Sequence, residues 1–296
     1  MDGSTRFTLL LVLFACRLFP QNPETPERGF TFYERFEGSA NQLGVFTKLD
    51  TTVGYNLNTH VSFAAGLPVY FVRPSGEVTR LVGTQSANGI GNVYGQVRLM
   101  AATVAINVAS TLTVTAPTGD KAKGFSTGHA TVDWSNYFDR SLGRITPFGE
   151  IGFANSVSDT FFFQRPYTTQ GFVAHVQGGG RFQLARTVAI GASGYAVEPS
   201  GQQTVISRVA RATAGSSNAN SNSRGRGNHG VFETVNNTVV PSDLARDHGV
   251  SAWLKISPAS AVDFYGGYTR STKFALDTVF FGIGVNVGKI VRNRGV

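Results

Sequence analysis

The sequence predicts an all-β fold, a transmembrane antiparallel up-and-down β-barrel of about 12 strands, and three observations carry that prediction. The first is the stretch 103–116, T-V-A-I-N-V-A-S-T-L-T-V-T-A, in which Val104, Ile106, Val108, Leu112 and Val114 share one parity and Asn107, Thr111, Thr113 and Thr115 the other. A period of two sets one face of a strand against an apolar phase and the other against a polar one. Globular strands run to about five or six residues, whereas a tilted strand crossing a bilayer needs roughly nine to eleven. The second observation is recurrence. Val279, Phe281, Ile283, Val285 and Val287 alternate with Thr278, Phe280, Gly282, Gly284, Asn286 and Gly288; Val93, Val97, Leu99 and Ala101 alternate with Tyr94, Gln96, Arg98 and Met100. The third is composition: 15% of residues are charged, with 35 Gly and 23 Phe among 296, against about 25% charged in soluble domains. No apolar run approaches the roughly 18 residues of a membrane helix, which excludes a helical bundle. Lipid offers no partner to an open sheet edge, so such strands must close on themselves.

The elements follow in order. Arg6, the apolar stretch Phe7–Ala15, Cys16 and Arg17 have the charged-then-apolar layout of an export signal, and 1–28 is read as a signal-like segment. Leu13-Phe14-Ala15-Cys16 approaches a lipobox, from which Phe14 departs, so lipidation at Cys16 is the weaker alternative. The barrel is assigned to 29–296, with strands near 29–38, 44–56, 59–72, 89–101, 103–116, 125–138, 144–156, 169–182, 186–198, 248–257, 260–271 and 276–289. Short links near Leu57-Asn58, Ala102, 139–143, Ala185 and Pro258-Ala259 alternate with longer ones near 39–43, 73–88, 117–124, 157–168, 199–247 and 272–275. Short periplasmic turns and longer outer loops are the habit of bacterial barrels. Pro74, Pro117, Pro166, Pro199, Pro241 and Pro258 fall in connections, while Pro68 and Pro147 fall inside strands and require a bulge or a rim. In the first strand Glu34 shares the parity of Phe30, Phe32 and Phe36 and faces lipid unless a bulge shifts the register. Within the flexible loop expected at 199–247, the stretch 208–226 is rich in Ser, Asn, Gly and Arg and has no apolar period.

The same parity delivers Lys48, Asp50, Arg98, Asp133, Glu150, His175, Arg181, Lys255 and Asp263 to the lumen. Mixed signs imply ion pairs bracing a narrow bore together with a polar path, rather than a ring of one charge. About 12 strands lie between about 8, where side chains fill the interior, and the 16–18 of a wide porin. Phe161, Phe162 and Phe163 sit in an outer loop as a candidate capture site, or belong to an aromatic girdle. Gly282-Ile283-Gly284-Val285-Asn286-Val287-Gly288 is not a dinucleotide fingerprint, because it lies in a strand; its glycines, like Gly178-Gly179-Gly180, are read as small lumenal residues.

Other chemistries find little support. A net charge of +8 is spread without a basic block, so nucleic acid is not expected. One cysteine makes no internal disulfide, no metal-ligand spacing occurs, and no cofactor is expected. Ser126, His129 and Asp133 form a hydrolase-like grouping, and the differing parity of Ser126 and His129 on one strand argues against it. The expectation is therefore a non-enzymatic channel or facilitator for small molecules in a Gram-negative outer membrane, with the bilayer and lipopolysaccharide as its surroundings. The alternatives are a closed interaction barrel binding lipopolysaccharide or protein through its loops and, third, an outer-membrane lipid hydrolase.

Thr113-Val114-Thr115-Ala116-Pro117-Thr118-Gly119-Asp120, followed by Phe125-Ser126-Thr127-Gly128, resembles the strand, P-T-G-D turn and S-T-G return of the outer-membrane family named for the meta-pathway of phenol degradation. Gly89-Ile90-Gly91-Asn92-Val93-Tyr94 resembles that family's G-x-G-D element, with Asn92 where aspartate is usual. The resemblance covers about 89–138. It implies a barrel for uptake of hydrophobic or aromatic compounds and brings no catalytic residues.

Overall fold

The computed structural model describes residues 28–42, 44–82, 86–119, 125–126, 128–156, 168–206, 238–240 and 246–294. Its elements are β1 (Gly29–Asn41), β2 (Gly44–Asn56), β3 (Val61–Pro74), α1 (Gly76–Val82), β4 (Ala87–Ile90), β5 (Tyr94–Ala102), β6 (Asn107–Thr115), β7 (Thr131–Asp139), β8 (Ile145–Ser156), β9 (Thr168–Ala185), β10 (Val188–Pro199), β11 (Gln203–Ile206), β12 (Thr238–Val240), β13 (Asp247–Ala259), β14 (Val262–Ser271), β15 (Leu276–Asn286) and α2 (Val287–Arg294). Each wall strand pairs antiparallel with the next, and β15 returns to β1 with Phe36 opposite Ile283, so twelve strands form a closed ring. β4 pairs only with β3, while β11 and β12 extend the sheet from β9. Closure satisfies the backbone of every wall strand without water, which is what a hydrocarbon surrounding demands.

Alternation sorts the side chains. Leu49, Val53, Phe63, Leu99, Leu112, Val114, Trp134, Ile151, Phe172, Ile190, Leu254, Phe264, Val279 and Ile283 are exposed on the outer wall. Phe46, Tyr70, Val72, Val173, Tyr195 and Val197 are buried on the inner one. The core of this molecule is thus the lining of a tube, and the large apolar residues that a soluble protein would bury face outward.

Several expectations are corrected at element ends. Residues 103–106 form a turn, not the start of a strand. The Thr103 hydroxyl donates to the Ile106 carbonyl at 2.7 Å and accepts from the Ile106 N–H at 3.0 Å, so the apolar alternation of Val104 and Ile106 runs on past the structural strand. β15 stops at Asn286, whose side chain accepts the Lys289 N–H at 3.0 Å and caps α2, so Val287 begins a helix. The connection expected to be long at 39–43 is a two-residue hairpin link, with Asn41 opposite Gly44. Of the three consecutive glycines only Gly179 faces inward, against Ser193, while Gly178 and Gly180 face outward, where an added methyl would meet nothing within 4 Å. Pairing through β1 runs without a shift, so Glu34 stays on the outer wall, where the Thr51 hydroxyl donates to it at 3.0 Å.

Pro74, Pro199 and Pro258, expected in connections, fall at the ends of β3, β10 and β13, Pro258 within a register shift, and the two prolines expected inside strands sit where a missing N–H is harmless. Pro68 lies beside the break between β4 and β5, and its carbonyl accepts the Gly91 N–H at 2.8 Å. Pro147 lies at the rim end of β8, beyond the last paired residue of β7.

Candidate functional site

The lumen has two unlike walls. On the β1–β2–β5 side, Lys48, only 9% exposed, lies between two carboxylates, 3.0 Å from Glu37 and 3.7 Å from Asp50. Tyr94 donates to Asp50 at 3.0 Å and is itself bonded to Thr52 at 2.9 Å. Arg35 is 3.5 Å from Glu37, and its guanidinium stands over the rings of Tyr33 and Tyr265 at 5.3 and 5.6 Å. Tyr265 also donates to Glu37. Glycines make room for these rings: a methyl at Gly282 would overlap Tyr265, and one at Gly284 would overlap Tyr33. Apart from Arg98 on β5, this wall is one hydrogen-bonded, charge-paired net.

On the β7–β8–β9 side, His175 donates from Nε2 to Asp133 at 3.1 Å, and its Nδ1 lies 3.9 Å from Glu150. Asn107 donates to Asp139 at 2.8 Å. Lys255 pairs with Asp263 at 3.2 Å, and Ser257 donates to the same carboxylate at 2.6 Å. Arg181 borders the lumenal cavity, and Arg98 has the inward parity of Tyr94 and Gln96. Among the described residues these two arginines make neither an ion pair nor a hydrogen bond. Seven of the nine residues expected from parity thus meet in ion pairs, and the arginines stand apart.

Between the walls lies a cavity of about 480 Å³, bounded by Glu37, Tyr137, Phe148, Arg181, Trp253 and Phe280 among others. Tyr137 stacks on Phe148 with centroids 5.8 Å apart, and Phe148 meets Trp253 at 5.9 Å although β9 and β10 separate their strands. Gly191 lies beneath Trp253, where a methyl would overlap the indole. On the neighbouring strands β14 and β15, Tyr265 and Phe280 are 6.5 Å apart, and Phe280 lies over Gly267, the residue opposite Trp253. Sequence reasoning missed these lumenal rings and the Arg35–Glu37 pair. Parity contained them: Trp253 is two residues from Lys255, Phe148 two from Glu150, and Arg35 and Glu37 alternate with Phe36. Phe161, Phe162 and Phe163 lie outside the described residues, as does the stretch 208–226.

The loop above β6 explains the motif around Pro117 as local architecture. The Thr118 hydroxyl accepts the Val93 N–H at 2.8 Å, and the Asn92 side chain accepts the Gly119 N–H at 3.0 Å. A side chain at Gly119 would strike the Phe125 carbonyl. Phe125 then stacks on the lumenal ring of Tyr70, with centroids 5.7 Å apart and planes 3° from parallel. Ser126 is buried and accepts the Gly128 N–H at 3.1 Å. Ser126 and His129 precede β7, so strand parity does not govern which way they point. Among the described residues no group of three or more His, Cys, Asp or Glu could hold a metal.

No family model and no curated protein matches the chain. Solved structures do. The COG4313 outer membrane channel from Pseudomonas putida F1 is similar at a TM-score of 0.54 and 10% identity, over 91% of this chain and all of that one. Weaker likenesses are to the NanC porin, at a TM-score of 0.47 and 8% identity over 86% of this chain and 98% of that one, and to the KdgM porin in complex with disordered oligogalacturonate, at 0.40 and 7% over the same shares. At such identity the likeness concerns the fold, and the fold is that of an outer-membrane β-barrel.

Proposed function

We propose that the chain is a passive channel of a Gram-negative outer membrane for small molecules that present an aromatic face. The observation that carries this reading is the cavity inside a closed wall, lined by the rings of Tyr137, Phe148, Trp253, Tyr265 and Phe280. A barrel built only to hold its shape gains by filling its lumen. This one leaves an open slot beside its lumenal rings and places Glu37, Glu150, Arg181 and Lys255 at the slot's margin.

Offset ring contacts contribute about 0.5–1.5 kcal/mol each, enough to dwell on and weak enough to leave, which is the condition for conduction. The mixed polar wall replaces part of a solute's hydration, and no covalent step is needed. The segment 1–28 is read as the export signal, and the outer wall meets the bilayer directly.

Purified protein in planar bilayers should show single-channel steps in potassium chloride. Phe148→Ala and Trp253→Ala should enlarge the steps, because each removes a ring from the slot. A silent barrel in every variant would reject the channel and favour a closed barrel that works through its loops.

A further inference from the structure

The unpartnered polar groups of the lumen are not spread at random. Arg98 on β5, Arg181 on β9 and the hydroxyl of Tyr137 on β7 lack any hydrogen bond among the described residues; Arg98 is opposite Thr111 and Thr111 opposite Ser135, two residues before Tyr137 on the same inner face, and Arg181 borders the cavity with Tyr137. The acids nearby are engaged: Asp139 by Asn107, and Asp133 and Glu150 by His175. Lys255 is held by Asp263. What this corner offers a solute is therefore a set of unpartnered N–H and O–H donors, beside carboxylates that already have partners. Arg181 and Tyr137 line the cavity together with Phe148 and Trp253, so the donors adjoin the rings. A guanidinium without a partner in a narrow bore attracts an anion, and its fork of N–H groups matches a carboxylate or sulfonate.

We propose that Arg98, Arg181 and the Tyr137 hydroxyl form an anion-binding subsite that takes the carboxylate or sulfonate of a small aromatic anion, with the ring of that anion lying against Phe148 and Trp253. This names the solute class for the channel reading and rests on it for passage, though not for binding. A neutral aromatic molecule would use the rings alone. An aromatic cation would face two guanidiniums and a hydroxyl donor at this end of the slot, and acids already bonded elsewhere.

Trp253 supplies the readout. The chain has two tryptophans, and Trp134 faces outward, bonded to Ser110. In a Trp134→Phe background the remaining fluorescence comes from the lumen. Two probes of matched size and opposite charge are 4-nitrobenzenesulfonate and 4-nitrobenzyltrimethylammonium, added to purified, folded barrel in detergent. The sulfonate should quench Trp253 saturably and the ammonium should not. Arg98→Ala and Arg181→Ala should each weaken the sulfonate by about tenfold, the scale of one charge-assisted hydrogen bond. Arg181→Lys should retain part of the affinity, and Tyr137→Phe should lose less than either alanine variant. Folding is checked by heat-modifiable migration in gels. Should a variant fail to assemble, added salt serves on the parent barrel and should weaken the sulfonate alone. Equal quenching by both probes, absence of saturation, or affinity indifferent to salt and to Arg181 overturns the subsite. Conductance in potassium chloride, measured on the same preparations, separates the two ideas. Quenching without conductance leaves the subsite and removes the channel; conductance without charge discrimination does the reverse.

Discussion

The wall built by β1, β2 and β5 and the wall built by β7, β8 and β9 use the same residue types to different ends. In the first, Arg35, Glu37, Lys48 and Asp50 face opposite charges at 3.0–3.7 Å and the tyrosines Tyr94 and Tyr265 donate to carboxylates, while Arg98 of β5 has no partner among the described residues. In the second, Arg181 faces open space and the Tyr137 hydroxyl bonds to nothing among the described residues. An ion pair inside a barrel holds two strands together but withdraws both charges from a passing solute. A lone guanidinium contributes nothing to cohesion and remains available to a ligand. The difference assigns bracing to one side of the lumen and recognition to the other.

The sharpest test of that division compares two cations. Lys48→Ala leaves Glu37 and Asp50 facing each other without the charge between them. Breaking a fully buried pair costs about 3–5 kcal/mol, and partial contact with lumenal water reduces this to roughly 2–3 kcal/mol. Arg181→Ala removes a cation with no partner and should stay within about 0.5 kcal/mol of the parent. Urea unfolding in lipid vesicles measures both. Equal losses would mean that the two walls brace alike.

A smaller contrast uses two tyrosines. Tyr265→Phe removes a hydrogen bond to Glu37 and should cost about 1 kcal/mol, or somewhat more because the acceptor is charged. Tyr137→Phe removes a hydroxyl that bonds to nothing described and should be close to neutral in stability. A cost at Tyr137 equal to that at Tyr265 would show that its hydroxyl already has a structural partner, and would weaken the case for a ligand there.

Much of this arrangement was legible in the sequence because a strand has only two faces. Once Val279, Phe281 and Ile283 are set outside, Phe280 and Gly282 must be inside, and the nine charged or histidine positions follow by the same rule. The rule fails where the chain stops being a strand. At Thr103 a hydroxyl closes a turn while the apolar alternation continues, and at Asn286 a side-chain cap starts a helix in a segment that still reads as strand. Parity also says which face a group occupies and nothing about what it meets there. That Lys48 is paired and Arg181 is not depends on Glu37, which lies on another strand and was not among the expected lumenal residues. The meeting of Phe148 and Trp253 depends on small residues such as Gly191 in the strands between them, a relation that sequence spacing does not express.

Glu34 tests the outer wall against the inner ones and carries the smallest expected effect. It lies near the middle of β1, with Phe36 two residues on and Val285 opposite, and its single described partner is the Thr51 hydroxyl. On a barrel exterior a midplane Arg or Lys costs about 2–4 kcal/mol and an acidic residue less. Glu34→Leu should therefore stabilise the folded barrel in vesicles by about 1 kcal/mol or less, since Leu gains contact with lipid while Thr51 can turn its hydroxyl to backbone. Urea midpoints compared in vesicles of thin and thick lipids should show the gain growing as hydrocarbon deepens around the site. A loss of stability instead would mean that the carboxyl has a partner outside this chain. It would also make the outer face near β1 and β2 a place of contact rather than a plain lipid-facing surface.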